Sequence, residues 1–418
     1  MTKGPLDLVL RKGRVHNGGH DHALDIGIRG GKIVEIAPAI STDAREIDLG
    51  GRLVFGGFVE THIHRDKACI LGRCGHSESL SQAIGKVAAL KKDFTQEDVY
   101  ARGRQVIEKA LVQGMTRMRT HVEADPRVGL RAFEAISQLK KDYAWAIDLE
   151  ICVFPQEGLL NDPGTDELLV QALEHGADVI GGCPYTDSSP NGQIARIFEL
   201  ADRYDVDIDF HLDFDLKPES MDLYEVCRQT KAHRRGGRVT VGHVSKLSAV
   251  ARAPLQDNPE MLPDSGVAVT VLPSTDLFLM GQGETHLVPR GVAPAHRLVQ
   301  QGVTCSISTN NVMNPFTPFG DCSLLRIANL YANILQIGKA DEMALCFDMV
   351  SSKSAELLNL KGYGVQVGNA ADLVVLDHET PAGAVAELAQ PLFGLKAGRE
   401  TFRRLRPEVF RPLAAAAE

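Results

Sequence analysis

Val59-Glu-Thr-His62-Ile-His64-Arg-Asp-Lys67 follows directly on the apolar run Leu53-Val-Phe-Gly-Gly-Phe58. Residues two apart on a strand share a face, so the two imidazoles point the same way. Neutral imidazoles converging at the end of a parallel strand are a starting point for a divalent metal site, and barrels of parallel strands carry their catalytic groups at that end. Fourteen histidines in 418 residues make a chance His-x-His common, so this reading needs support from the rest of the chain.

The surrounding rhythm supplies it. From Leu53 onward, apolar strand, loop and helical stretch alternate, with strand candidates at 53–64, 116–122, 147–154, 177–183, 206–212, 238–244, 267–273 and 303–309. Helical patterns lie between them, as at 96–113, 128–142, 166–175, 193–204 and 293–301, and a further helix is expected around 343–358. Eight strands joined by crossover helices predict an α/β fold, a (β/α)8 TIM barrel. Before it, residues 6–11, 23–29 and 31–36 alternate like antiparallel strands, with a Gly-Gly turn ahead of the third. After it, 362–377 returns to the same grammar. The two ends therefore predict one small β-sandwich, with boundaries at 1–55, 56–360 and 361–418.

Composition narrows the partners. The chain is 44% hydrophobic and 24% charged, with a net charge of −9 and a pI near 5.9. Such a balance, without a long basic block, excludes nucleic acid as the main partner. The N-terminus lacks the layout of a signal peptide, and no apolar run reaches the ~20 residues of a membrane span. A cytoplasmic homo-oligomer that acts on a small molecule and contacts no membrane is expected. The eight cysteines include no C-x-x-C and read as reduced packing residues.

Further polar groups fall at strand ends. His211 follows Val206-Asp-Ile-Asp-Phe, His243 follows Val239-Thr-Val-Gly, and Asn310-Asn311 follows Val303-Thr-Cys-Ser-Ile-Ser-Thr. Histidines at the mouth ends of strands one, five and six converge in a barrel. Three imidazoles leave open positions on one divalent ion, Zn²⁺ first and Fe²⁺ or Mn²⁺ as alternatives, which is the layout of a catalytic site.

With these motifs in place, the chain resembles an amidohydrolase-superfamily enzyme of the bacterial cytosine deaminase type. The resemblance runs through His62-Ile-His64, Arg119-Thr-His-Val122, Phe154-Pro-Gln-Glu-Gly158, the His211 strand, Gly242-His243, the stretch 310–320 and Gly368-Asn-Ala-Ala-Asp-Leu-Val-Val-Leu-Asp377. It implies a (β/α)8 barrel with an adjoining β-sandwich and one metal. It also implies His62, His64 and His211 as ligands, His243 near the reacting carbon and Gln156 as a substrate-binding amide. His62-x-His64-x-x-Lys67 is also similar to N-isopropylammelide isopropylaminohydrolases, in which the matching lysine belongs to the active site.

Two departures stand against that pattern. Where such deaminases carry a proton-shuttling Glu on strand five, this chain reads His211-Leu-Asp-Phe214, and the strand-eight aspartate of the superfamily falls on Asn310. A neutral amide can ligate through its oxygen but accepts no proton as a carboxylate does. The proton then goes to His243, Asp213 or Lys67. Phe214, Asn311 and the stretch 311–319, with its two prolines and two phenylalanines, are expected to wall a flat ring. The predicted activity is metal-dependent hydrolysis of a C–N bond in a small nitrogen heterocycle or its amine substituent. A cyclic amidase and a catalytically impaired heterocycle binder are the alternatives.

Overall fold

Gly56 and Gly57 divide the run expected as a single strand over 53–64, which forms Leu53–Phe55 and Phe58–His64 instead. Gly57 turns the chain at φ 81°, and a Cβ there would lie 2.3 Å from Thr116 Cγ2, so only glycine fits the corner. The computed structural model describes residues 5–16, 23–250, 261–405 and 407–410. Its first five strands are β1 (Leu8–Val15), β2 (Leu24–Arg29), β3 (Lys32–Ala37), β4 (Arg45–Asp48) and β5 (Leu53–Phe55). The barrel follows as β6 (Phe58–His64), β7 (Met115–Glu123), β8 (Asp148–Phe154), β9 (Val179–Gly182), β10 (Asp207–Leu212), β11 (Val239–His243), β12 (Val267–Val271) and β13 (Cys305–Ile307). The chain ends on β14 (Leu373–Leu376), β15 (Pro391–Lys396) and β16 (Arg399–Arg403).

Strands β6 to β13 pair in sequence order, each parallel to the next. Every residue of β6, β9, β11 and β12 is buried, as a sheet covered by helices on one side and filled with side chains on the other requires. Helices including Gln96–Val112, Arg131–Asp142, Thr165–Glu174, Pro190–Tyr204, Leu223–Ala232 and Ala295–Gln300 make the crossovers. The helix expected around 343–358 is two, Ala340–Asp348 and Ser352–Leu357. Ser351 leaves helical geometry between them and bonds its hydroxyl to the carbonyl of Phe347.

The barrel seam closes at Asn310. Its N–H donates to the His62 carbonyl at 2.9 Å, and its carbonyl accepts from the His64 N–H at 2.7 Å.

Both chain ends join in one sheet of order β16-β15-β14-β5-β1-β2-β3. It forks at β1, which runs parallel to β4 over Leu8–Arg11 and to β5 over Arg14–Val15. Val54 of β5 faces Val15 on one side and Val375 on the other, which ties head to tail. The two limbs enclose a separate apolar core that includes Leu10, Ile26, Val54, Leu373 and Phe393. Among the described residues, no helix is long and apolar enough to cross a membrane.

Candidate metal centre and active site

At the C-terminal mouth, His62 Nε2 and His64 Nε2 each lie 3.0 Å from His211 Nε2. The first two come from alternate positions of β6 and the third from β10, across the barrel. Burial pushes all three imidazoles down, His62 to about 3, so each is neutral at physiological pH. Three neutral nitrogens this close cannot be satisfied by one another, because His211 Nε2 can share only one proton with two neighbours. Two nitrogens ~2.1 Å from one ion and roughly at right angles would be ~3 Å apart, so the His62–His211 and His64–His211 pairs each have a spacing that fits a shared divalent cation. Asn310 Oδ1 is buried with no hydrogen-bond partner, and Asn310 is held at φ 64° between the backbones of His62 and His64. An amide oxygen left without a partner beside the imidazoles is available as a ligand atom.

His243 stands beside this set, close enough to His62 and His211 for the three to form a ligand-like group. Its Nδ1 lies 2.6 Å from Asp276 Oδ1, a carboxylate from the helix Pro273–Leu279 after β12. With Nδ1–H given to Asp276, Nε2 presents its lone pair. His243 has φ 70° and Val244 φ 44°, a left-handed pair in which a β-branched residue is strained. Strain here bends the chain so that the ring turns to the mouth. Phe214 lies flat on the ring, with centroids 3.7 Å apart.

On the other side, Lys67 Nζ donates to Glu123 Oε1 at 2.6 Å and to Gln156 Oε1 at 3.0 Å. It also lies over the Phe316 ring at 4.7 Å. The Gln156 amide N–H also donates to Cys183 Sγ at 3.4 Å. Asn311 accepts from Asn314 at 2.7 Å, and the same Asn314 amide reaches the Lys67 carbonyl at 3.3 Å. Asn311 therefore braces the stretch behind Lys67.

The chain has relatives among known proteins. Residues 75–399 match the Amidohydrolase family. Along 407 residues the chain is 30% identical to the N-isopropylammelide isopropyl amidohydrolase of Pseudomonas sp. (strain ADP), covering 94% of this chain and 96% of that protein. The chain belongs to the amidohydrolase family. Among solved structures, 5-methylcytosine deaminase from Klebsiella pneumoniae, liganded with 5-fluorocytosine, superposes with a TM-score of 0.92 at 28% identity, covering 97% of this chain and 99% of the other. N-isopropylammelide isopropylaminohydrolase from Burkholderia multivorans gives 0.83 at 27% identity over 95% and 98%. As an amidohydrolase, the protein is a metal-dependent hydrolase acting on carbon–nitrogen bonds.

The amidohydrolase site also contains groups that reading the sequence missed. Asp209, two residues before His211 on β10, is fully buried, with Oδ1 3.4 Å from His121 Nε2 and 3.6 Å from His62 Nδ1. Arg119 holds its other oxygen at 3.1 Å and Glu150 at 2.9 Å. Burial opposes ionisation of Asp209, but His121 and His62 outweigh it, so the carboxyl lies well below its usual range. His121 stacks on His62 with centroids 3.7 Å apart. An acid at the position before a strand-end histidine on the same face was the available signal for Asp209. Asp276 and Glu123 had no such signal, because each meets its partner from a different βα unit.

Asp213 departs from the two-residue alternation that made it a candidate proton acceptor. Its φ of 50° turns it away, and its oxygens accept the N–H groups of Asp222 and Leu223 at 3.0 and 3.1 Å, with Lys246 3.4 Å away. It anchors the loop ahead of the helix Leu223–Ala232.

Proposed function

We propose that the protein hydrolyses the exocyclic C–N bond of a small nitrogen heterocycle, releasing an amine. One divalent ion, zinc first with iron or manganese as alternatives, is held by His62, His64, His211 and the Asn310 oxygen. When bound, such an ion supplies Lewis-acid polarisation and a water activated near neutral pH. His243 Nε2, oriented by Asp276, takes the proton of the attacking water. Lys67, engaged by a carboxylate and an amide, gives a proton to the departing nitrogen. Gln156 orients the ring, Asn311 steadies the Lys67 side of the mouth, and Phe214 and Phe316 wall the ring apolar on two sides.

The convergence of the three imidazole nitrogens beside the His243–Asp276 pair carries this reading. Names of the relatives, an isopropylammelide hydrolase and a methylcytosine deaminase, support a planar substrate. Phe214, at the position expected for a shuttle carboxylate, supports an alkylamine over ammonia as the leaving group. It also supports a second reading, hydrolysis of a non-aromatic cyclic amide, which needs no shuttle. The net charge of −9 supports a small-molecule substrate over a nucleic-acid partner. Incubating metal-replete protein with N-isopropylammelide, cytosine and 5-methylcytosine tests the proposal. Isopropylamine release faster than ammonia release supports it, and release of neither would refute it.

A further inference from the structure

Behind the three converging nitrogens, His62, His121 and Asp209 bring together polar atoms that nothing else engages. His62 Nδ1, both ring nitrogens of His121 and Asp209 Oδ1 are buried without a hydrogen-bond partner. Asp209 Oδ1 lies 3.4 Å from His121 Nε2 and 3.6 Å from His62 Nδ1. Both gaps are just beyond hydrogen-bond length, and a small turn of each ring closes them. Gly242 gives the His62 ring its place, since a Cβ there would lie 3.1 Å from Cε1 and 3.2 Å from Nδ1. We propose that Asp209 is the positioning residue of the metal centre. By accepting Nδ1–H of His62 it holds the tautomer whose Nε2 lone pair faces the ion, and it lends that nitrogen the negative charge that Asn310 lacks. The proposal rests on His62, His64 and His211 as the ligands.

The three residues are near enough to ligate an ion of their own, but the rings exclude it. A metal lies in the plane of each imidazole that binds it, and these two rings are stacked 3.7 Å apart at 22°. Planes so nearly parallel share no point close to both nitrogens. Side by side, the two rings instead direct N–H groups at one carboxylate oxygen, which has lone pairs for both.

A neutral imidazole carries one proton, and a ligand nitrogen must be free of it. His62 Nε2 faces His211, so Nδ1 must hold the proton and needs a buried acceptor. A carboxylate in that place orients the ring and makes its other nitrogen a stronger ligand. Charge gives a second reason. Three neutral imidazoles and a neutral amide bring no anion to a buried dication, which is costly. Other carboxylates nearby are engaged elsewhere: Asp276 with His243 and Glu123 with Lys67, each at 2.6 Å, and Glu60 with backbone N–H groups. Arg119 holds Asp209 Oδ2 at 3.1 Å but also donates to Glu150 at 2.9 Å, so it does not cancel the charge of Asp209 alone.

Asp209→Asn can keep Arg119 through its amide oxygen, which leaves N–H groups facing the two rings. His62 must then accept at Nδ1 and carry its proton at Nε2. Nitrogen NMR of histidine-labelled, metal-free protein, with His62→Gln to identify the signal, should find the Nδ1–H tautomer in the native chain and the Nε2–H tautomer in Asp209→Asn. Zinc affinity, read by chelator competition, should fall roughly 10–100-fold in the variant, with the far-ultraviolet circular dichroism unchanged. His62 protonated at Nε2 in the native protein would overturn the proposal without any variant. A folded Asp209→Asn protein that binds zinc as tightly as the native chain would overturn it too, as would one that loses zinc with the His62 tautomer unchanged. If His211→Ala retains zinc, the ligand assignment itself fails, whatever the tautomer of His62.

Discussion

Phe214 covers one face of His243, the two rings stacked 3.7 Å apart at 26°. The resemblance to cytosine deaminases implies a carboxylate at this position, and Phe214, just after β10, offers none. Phe214→Glu should supply that carboxylate and raise ammonia release from cytosine by roughly 10²-fold or more, within the usual range for a proton-transferring group. An ammonia assay comparing the two proteins decides it. Strong deamination of cytosine by the native chain would mean that no such group is needed.

Metal content should follow the converging nitrogens. His211→Ala should leave the purified protein with a small fraction of the native metal, because it removes the nitrogen that both other imidazoles face. His121→Ala, which removes a ring stacked behind His62, should retain most of it. Elemental analysis after equal metal loading measures both.

His243→Gln should cut kcat by roughly 10²–10⁴-fold with metal content intact, as expected for loss of a general base. Asp276→Asn should give a smaller fall, because it only frees the ring to adopt the wrong tautomer. Steady-state kinetics on metal-replete protein separates the two. Equal activity in the His243 variant would exclude it as proton acceptor.

Asn310→Asp should tighten metal binding by roughly tenfold or more, since an anionic oxygen replaces a neutral one. Chelator competition reads this directly. Turnover created by the substitution in an inactive native protein would identify the chain as a disabled binder. Damage to an active one would mark a chemistry suited to the neutral amide.

Glu60, on β6, is fully buried, and its oxygens accept the N–H groups of Thr309 and His62. Burial raises its carboxyl to about 7. Between the unfolded value near 4.5 and this folded value, the native state holds a proton that the unfolded chain has released, so the group's contribution falls as pH rises through that window. The span corresponds to about 3 kcal/mol as an upper bound. Glu60→Gln should remove this slope while the opposing slope of the buried histidines stays. Urea midpoints of the metal-free proteins at pH 5 and pH 7.5 provide the check.

The barrel was legible because strand-and-helix alternation is a local pattern, repeated eight times with apolar runs of strand length. His62, His64, His211 and His243 were legible for the same reason, since each ends such a run. Where the two-residue period broke, sequence reading failed. The Gly56-Gly57 corner separated β5 from β6, and the left-handed backbone of Asp213 turned its carboxylate to the helix Leu223–Ala232. Pairings across the barrel lay beyond the sequence altogether. Asp276 reaches His243, and Glu123 joins Lys67 to Lys91, because closure of the sheet brings the ends of different strands to one mouth. Which charges are buried together, and so which carboxylate keeps its proton, depends on that closure. The amino-acid sequence alone determined which chemistry could be assembled; the tertiary structure decided which groups face one another, because burial and distance set the protonation and orientation of each.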